Sequence, residues 1–416
     1  MKRLLLLNIL LIFLMSGCNV ITGSQTYVDG QPVDTQPTPA EVLETAVTTT
    51  PTEEPVLDDQ PIPVESGDYQ SGGFYQNWVA FVDANANIAI VNPVTGEIKQ
   101  ITDDGSAVLN AQEMTESFRY SLPTWSSDGT LLAFAQEVMT QKTDMVEFVM
   151  NLIVYDFENE TSRIVLEDEY LSGFSWRPGT HVISFTVMTE PAYFTARGQV
   201  DATLAHGVMQ LDVDSGVTSE LVAPQGYSLV QPIWSPDGNL ISFDEVYLME
   251  GKGNFAWYDF GTDTYHSWQN PIGNYDWSPA GPLAYDNLTY IPGGEERIMI
   301  NDSMNSGEKL FSFGVESGSY VFSPHYSPSG AQLAYLVGFG SLDMVDSYQL
   351  LVQAVDSDAA QILLDGENIG SFAWSGDGSF LAVTYGPYGS SGIVIIDVLN
   401  NTHTSVTQGQ DPSWQK

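Results

Sequence analysis

The chain has 416 residues, with 53 Asp or Glu against 12 Lys or Arg and a formal charge of −41. A nucleic-acid binder gains affinity by neutralising phosphates with Lys and Arg, so this balance argues against DNA, RNA and anionic lipid headgroups, and favours cations and basic proteins as company. A hydrophobic content of 43% is too high for wholesale disorder, and one cysteine allows neither an internal disulfide nor a multi-cysteine metal site.

Met1–Arg3 is a short positive region, Leu4–Met15 an apolar stretch too short to span a bilayer as a mature helix, and Ser16-Gly17 supplies small residues directly before Cys18. The run Leu14-Met15-Ser16-Gly17-Cys18 resembles the lipobox of a bacterial lipoprotein signal, with Met15 where Leu is commoner. The resemblance implies a signal peptide over 1–17, lipidation of Cys18, and a place on the extracytoplasmic face of a cell membrane, held there by the lipid anchor alone. The alternatives are an ordinary secretory signal with an incidental cysteine, or a buried hydrophobic helix. Residues 18–72 then form a Thr-, Pro- and acid-rich stretch, with no Lys or Arg after Cys18 and no helical or alternating periodicity. Pro32, Pro37, Pro39, Pro51, Pro55, Pro61 and Pro63 favour extended conformations, so the stretch reads as a disordered tether, or else as a segment that folds on a partner.

From 73 to 416 the chain repeats. Trp125-Ser126-Ser127-Asp128-Gly129, Trp234-Ser235-Pro236-Asp237-Gly238 and Trp374-Ser375-Gly376-Asp377-Gly378 each precede an apolar strand signal. Weaker copies are Trp176-Arg177-Pro178-Gly179, Trp277-Ser278-Pro279-Ala280-Gly281 and Tyr326-Ser327-Pro328-Ser329-Gly330. Successive aromatics lie 51, 58, 43, 49 and 48 residues apart, with 40 more to Trp414, the period of four-stranded propeller blades. Third strands are expected at Ile88–Val91, Phe148–Tyr155, Val208–Val213, Phe255–Tyr258, Arg297–Ile300, Gln349–Val355 and Ile393–Val398, which makes seven blades. The Asp-Gly pairs suit two-residue hairpins, whose turns need positive φ.

The two ends complete one blade. Trp78-Val79-Ala80-Phe81 matches the strand after the turn but has no turn motif before it, and Asp411-Pro412-Ser413-Trp414 matches the strand before the turn but has no blade after it. The expected fold is therefore all-β, a seven-bladed propeller of four-stranded antiparallel blades in which the C-terminal strand closes the first blade. The Trp-Ser-Pro-Asp-Gly signature resembles the TolB-like and WD-repeat-like β-propeller families over about 340 of the 416 residues. Such propellers serve as interaction scaffolds, as gates on peptidases and as parts of hydrolases, and TolB-like domains commonly have six blades.

Most residues able to carry chemistry have a structural use. The repeated indoles are expected to pack between sheets and the carboxylates to cap turns. A sialidase-like Asp box needs Gly two places beyond the Asp, unlike Asp128-Gly129. Asp83-Ala84-Asn85-Ala86-Asn87 begins like a calcium loop, but Ile88 replaces the required Gly, so a polar hairpin turn is expected. His181, His206, His266, His325 and His403 read as falling in different blades without metal-ligand spacing, so no metal or cofactor is assigned. No Gly-x-Ser-x-Gly elbow, P-loop or dinucleotide fingerprint occurs, and no hydrolase domain is expected after Trp414, so no catalytic residue is assigned. A carboxylate pair, which a glycosidase needs, cannot be identified by spacing among so many acids.

Connections between second and third strands share a face with the crossovers between blades. Loops are expected there at Glu137–Glu147, Met188–His206, Tyr247–Asn254, Leu288–Glu296, Gly338–Ser347 and Tyr385–Gly392. Tyr193, Phe194, Arg197, Tyr290, Phe339, Tyr385 and Tyr388 are the binding candidates, since aromatics and Arg dominate interface energetics; the alternative is that they pack their own loops. The leading expectation is a non-enzymatic scaffold for a protein or peptide of the cell envelope. The alternatives are a surface glycan binder or carboxylate-dependent glycoside hydrolase, and an acidic spacer associating weakly with calcium or basic polymers.

Overall fold

The computed structural model describes residues 77–415 apart from 109–114, 143–145, 170, 188–204, 247–252, 269–270, 288–296, 304–305, 313–314, 316–318, 342–343 and 388. The chain divides into two units, Met1–Gly73 and Phe74–Lys416, and every described strand belongs to the second. Cys18 and the expected tether lie outside the described residues.

The strands follow in blade order. Blade 1 holds β1 (Val79–Val82), β2 (Ile88–Val91) and β3 (Ile98–Gln100). Blade 2 holds β4 (Glu116–Trp125), β5 (Leu131–Gln141), β6 (Val146–Asp156) and β7 (Thr161–Glu169), and blade 3 holds β8 (Leu171–Trp176), β9 (Val182–Val187), β10 (Val208–Asp212) and β11 (Val217–Val222). Blade 4 comprises β12 (Ser228–Trp234), β13 (Leu240–Val246), β14 (Phe255–Asp259) and β15 (Thr264–Ser267). Blade 5 comprises β16 (Tyr275–Trp277), β17 (Leu283–Asp286), β18 (Ile298–Ser303) and β19 (Ser306–Leu310). Blade 6 runs through β20 (Tyr320–Tyr326), β21 (Gln332–Ser341), β22 (Met344–Ala354) and β23 (Ala360–Gly366), and blade 7 through β24 (Ile369–Trp374), β25 (Phe380–Tyr385), β26 (Gly392–Asp397) and β27 (Thr402–Gln408). The last strand, β28 (Gln410–Trp414), returns to blade 1, giving the order β28-β1-β2-β3.

Seven four-stranded antiparallel sheets result, as the repeats imply. Closure is explicit in the register: Val79 pairs with Trp414, Ala80 with Ser413 and Val82 with Gln410, and the Gln415 N–H donates to Trp78 O at 3.0 Å. The edge of β1 is thereby paired on both sides.

The core lies between blades. The buried apolar residues form clusters that each join two neighbouring blades. In β1, Val79 and Phe81 pack against blade 7, while Ala80 and Val82 pack against blade 2. A sheet covered on both faces needs continuous apolar runs, which is why VAFV and IAIV are buried at every position.

Three expectations change. The Asp-Gly hairpin is not a two-residue turn. Ser126 N bonds Leu131 O at 2.9 Å around four intervening residues, and only Gly129 takes positive φ, at 70°, because a type I turn leaves Asp128 at negative φ. The loop expected at Glu137–Glu147 is mostly ladder, since β5 and β6 stay paired out to Gln141 with Val146. Likewise β21 and β22 consume most of Gly338–Ser347, with Phe339 opposite Ser347.

Candidate functional site

The two ends of the ring are built differently. On the turn face, chemistry is local. Ser126 donates to Asp128 at 2.7 Å and accepts the Leu131 N–H at 3.0 Å, and the same carboxylate oxygen accepts the Thr130 N–H at 3.1 Å. Ser235 with Asp237 and Ser375 with Asp377 repeat the contact at 2.6 Å. Burial works against ionisation of Asp237, but the Ser235 hydroxyl and the Asn239 N–H outweigh it and hold the carboxyl below its usual range. The Asp83 turn is the expected polar hairpin, with Asp83 Oδ1 accepting the Asn85 and Asn87 N–H groups at 2.8 and 2.9 Å.

The indoles staple blade to blade. Trp125 Nε1 donates to Ser413 O at 3.1 Å, Trp176 Nε1 to Thr124 O at 2.9 Å and Trp374 Nε1 to His325 O at 3.0 Å. Each reaches the carbonyl just before the repeated aromatic of the preceding blade. Trp234 and Trp277 instead reach the Ser184 and Ser242 hydroxyls, both at 3.0 Å. Trp and Asp thus have the packing and capping roles expected of them.

His181 joins blades 2 and 3 on this face, with Nε2 3.0 Å from Asp128 Oδ2 and Nδ1 3.1 Å from Asp214 Oδ2. Partial burial disfavours its charged form, but bonding to the two carboxylates outweighs that and raises its pKa. His181 and His206 both belong to blade 3, at opposite ends, so the histidines occupy fewer blades than their spacing implies. His266 stacks on Trp257 at 4.8 Å, and His325 meets Phe372 edge-on at 4.9 Å. Among the described residues, no three His, Cys, Asp or Glu side chains converge as a metal site requires.

First strands wall the axis: β28 touches β4 and β24, β8 touches β4 and β12, and β16 touches β20. A feature missed in the sequence recurs here, as Leu122-Pro123-Thr124-Trp125, Gln231-Pro232-Ile233-Trp234, Ser323-Pro324-His325-Tyr326 and Asp411-Pro412-Ser413-Trp414. Leu122, Gln231, Ser323 and Asp411 have φ of 56, 53, 54 and 53°, each at a β-bulge. Pro lacks the N–H that a central ladder needs, so it fits an innermost edge with a bulge, and the repeated x-Pro-x-aromatic spacing was the available signal. Asp411 accepts the Ser371 hydroxyl at 2.8 Å, yet burial dominates and pushes its carboxyl above the usual range.

Toward the loop face, polar groups enter the sheets of blades 4 and 5, Glu245 on the side facing blade 3 and Asp286 on the side facing blade 6. Buried Glu245 accepts bonds from Asn254 Nδ2 at 2.9 Å, the Tyr265 hydroxyl at 2.7 Å and the Ser267 hydroxyl at 2.9 Å. Asp286 accepts the Asn274 N–H at 2.8 Å and packs over Gly273, where an added Cβ would lie 1.2 Å from Oδ1. In blade 2, burial raises the Glu137 pKa despite the Arg119 guanidinium.

Of the binding candidates, Tyr193, Phe194, Arg197, Tyr290 and Tyr388 lie outside the described residues. The other two do not come together. Phe339 sits within β21, partly buried against the cluster joining blades 5 and 6. Tyr385 ends β25, half-buried against the cluster joining blades 6 and 7, and its hydroxyl donates to Asp365 O at 3.2 Å.

No family model and no curated protein matches the chain. Solved structures do. A prolyl endopeptidase aligns with a TM-score of 0.55 at 13% identity, over 80% of this chain and 50% of that one. An oligogalacturonate lyase in complex with manganese aligns at 0.53 and 11% identity, over 80% and 85% of the two chains. TolB from Acinetobacter baumannii is also similar, at 0.45 and 13% identity, over 72% of this chain and 82% of that one. At these identities the first two likenesses speak for the propeller fold alone.

Proposed function

We propose that the chain is a lipid-anchored, extracytoplasmic propeller that binds a protein or peptide through its loop face and catalyses no reaction. One observation carries this reading: the ladder order sends every second-to-third-strand connection and every crossover between blades to the same face. The opposite face is made of short turns whose conspicuous Asp and Ser groups are engaged with one another and whose Trp groups bond to the neighbouring blade. A scaffold with one side spent on closure and the other free to vary suits recognition. The lipobox-like run ending at Cys18 supports the anchor, and the acid-rich tether supports display away from the bilayer.

Photo-crosslinking groups placed singly in the loops around Tyr193, Tyr290 and Tyr388 should capture the same envelope protein, and groups at Asp128, Asp237 and Asp377 should not. Equal capture from both faces would refute the assignment. Cys18→Ser should move the chain from the membrane to the soluble extracytoplasmic fraction.

A further inference from the structure

Blades 6 and 7 stand apart in charge. Leu310–Gln415 contains no Lys or Arg, but ten Asp or Glu. The outer strands differ as well. Lys99 lies in β3, Arg163 in β7, Glu220 in β11, Glu308 and Lys309 in β19, and Asp365 in β23, while uncharged β15 has only four residues. The seven-residue β27, THTSVTQ, carries neither charge nor Pro, and among the described residues it pairs with β26 alone, which leaves its outer edge open there. Exposed edges of this length ordinarily bear a charge that blocks further pairing.

A groove of about 540 Å³ lies against this strand, lined among others by Tyr385, Gly392, Val394, His403, Ser405 and Thr407. Two bonds join blade 7 to blade 6: Asn401 Nδ2 donates to Ile362 O at 3.2 Å on the turn side, and the groove residue Tyr385 donates to Asp365 O at 3.2 Å on the loop side. An open strand edge supplies main-chain hydrogen bonds, and an adjoining groove supplies room for alternate side chains. The sector offers no cation to an acidic ligand, and a second copy of the chain would bring another 41 negative charges.

We infer that β27 accepts an extended, basic segment of a partner protein as an added strand, with alternate side chains entering the groove. The inference rests on the reading of the chain as a peptide binder but uses the rim of blade 7 rather than the loops.

The test titrates the full chain, in neutral detergent, with acetyl-Lys-Thr-Val-Thr-Val-Thr-Lys-amide. Saturable binding that weakens when Glu replaces the two Lys is expected. Methylating the backbone nitrogens of one alternating set should weaken binding about tenfold per hydrogen bond removed, and methylating the other set should not. Thr404→Lys, an exposed change on β27, should abolish binding with the circular dichroism spectrum intact, and Tyr385→Ala should weaken it severalfold. No saturable binding, equal effects of the two methylated sets, or retention by Thr404→Lys would overturn the inference. So would self-association of the chain that Thr404→Lys reverses. Loop-face cross-links that persist in Thr404→Lys separate the failure of this inference from failure of the proposed function.

Discussion

The turn face and the loop face are made from the same strands, yet they obey different rules. On the turn face the three strong copies of a five-residue motif close their hairpins with their own Ser and Asp and each sends an indole to the neighbouring blade, so sequence and geometry repeat together. On the loop face the polar groups are individual: Glu245 gathers three donors and Asp286 fills the space above Gly273, with no equivalent acids in blades 6 and 7. The ring is held by what recurs, and whatever distinguishes one blade from another is free to serve recognition.

The largest test strikes closure. Trp414 is buried in the cluster joining blades 7 and 1, so Trp414→Ala should cost about 3–5 kcal/mol, read as a lower urea midpoint. A loss below about 1 kcal/mol would mean the ring does not depend on the packing of that indole. Next comes a loop-face position that does carry structure. Gly273→Ala forces a methyl into the Asp286 carboxylate and should cost about 1–3 kcal/mol.

Within the turn face, strong and weak copies should differ. Ser235→Ala removes the hydroxyl that bonds Asp237 and receives the Leu240 N–H at 2.9 Å, for a loss of about 1–2 kcal/mol. Ser278, with Ala280 where Asp would stand, has a single 3.2 Å bond from the Ala280 N–H, and Ser278→Ala should cost less than about 1 kcal/mol. Comparable losses would remove the distinction between strong and weak turns.

The smallest effect concerns pH. The His181 pKa is raised on folding, so its stabilisation is complete below the unfolded value and disappears as pH rises through the higher folded one. Thermal melts should show the native chain losing a little stability as pH rises above about 6.5, by less than about 1 kcal/mol for so exposed a pair, and His181→Ala losing less over the same rise. Asp237 behaves oppositely. Its folded pKa is depressed, so its contribution is present above the unfolded value and fades as acid titrates the folded carboxyl.

What the sequence made legible followed from locality. The repeated aromatic and Ser-x-Asp-Gly residues marked the blades, and the half-blades at Trp78 and Trp414 marked closure, because each signal sits within a few residues of what it builds. The four-residue turn was missed because Asp-Gly alone does not reveal which residue takes positive φ. Phe339 was placed in a loop because hydrophobic patterning does not say how far a hairpin outruns the core. The bulged inner strands are signalled by x-Pro-x-aromatic, because Pro within a strand marks an edge or a bulge. The groove beside β27 was not readable, since Tyr385, Val394 and Ser405 meet only after three strands have paired.

The pairing of β1 with β28 has a temporal meaning. Val79–Val82 and Gln410–Trp414 stand at opposite ends of the ring's strand order, so blade 1 stays three-stranded until the last strand has been delivered. During that interval a fully apolar strand offers an unoccupied ladder to any other chain nearby. Contacts this distant along the chain form slowly, so acquisition of the native ring is timed by delivery of its final five-residue strand rather than by the folding of any single blade.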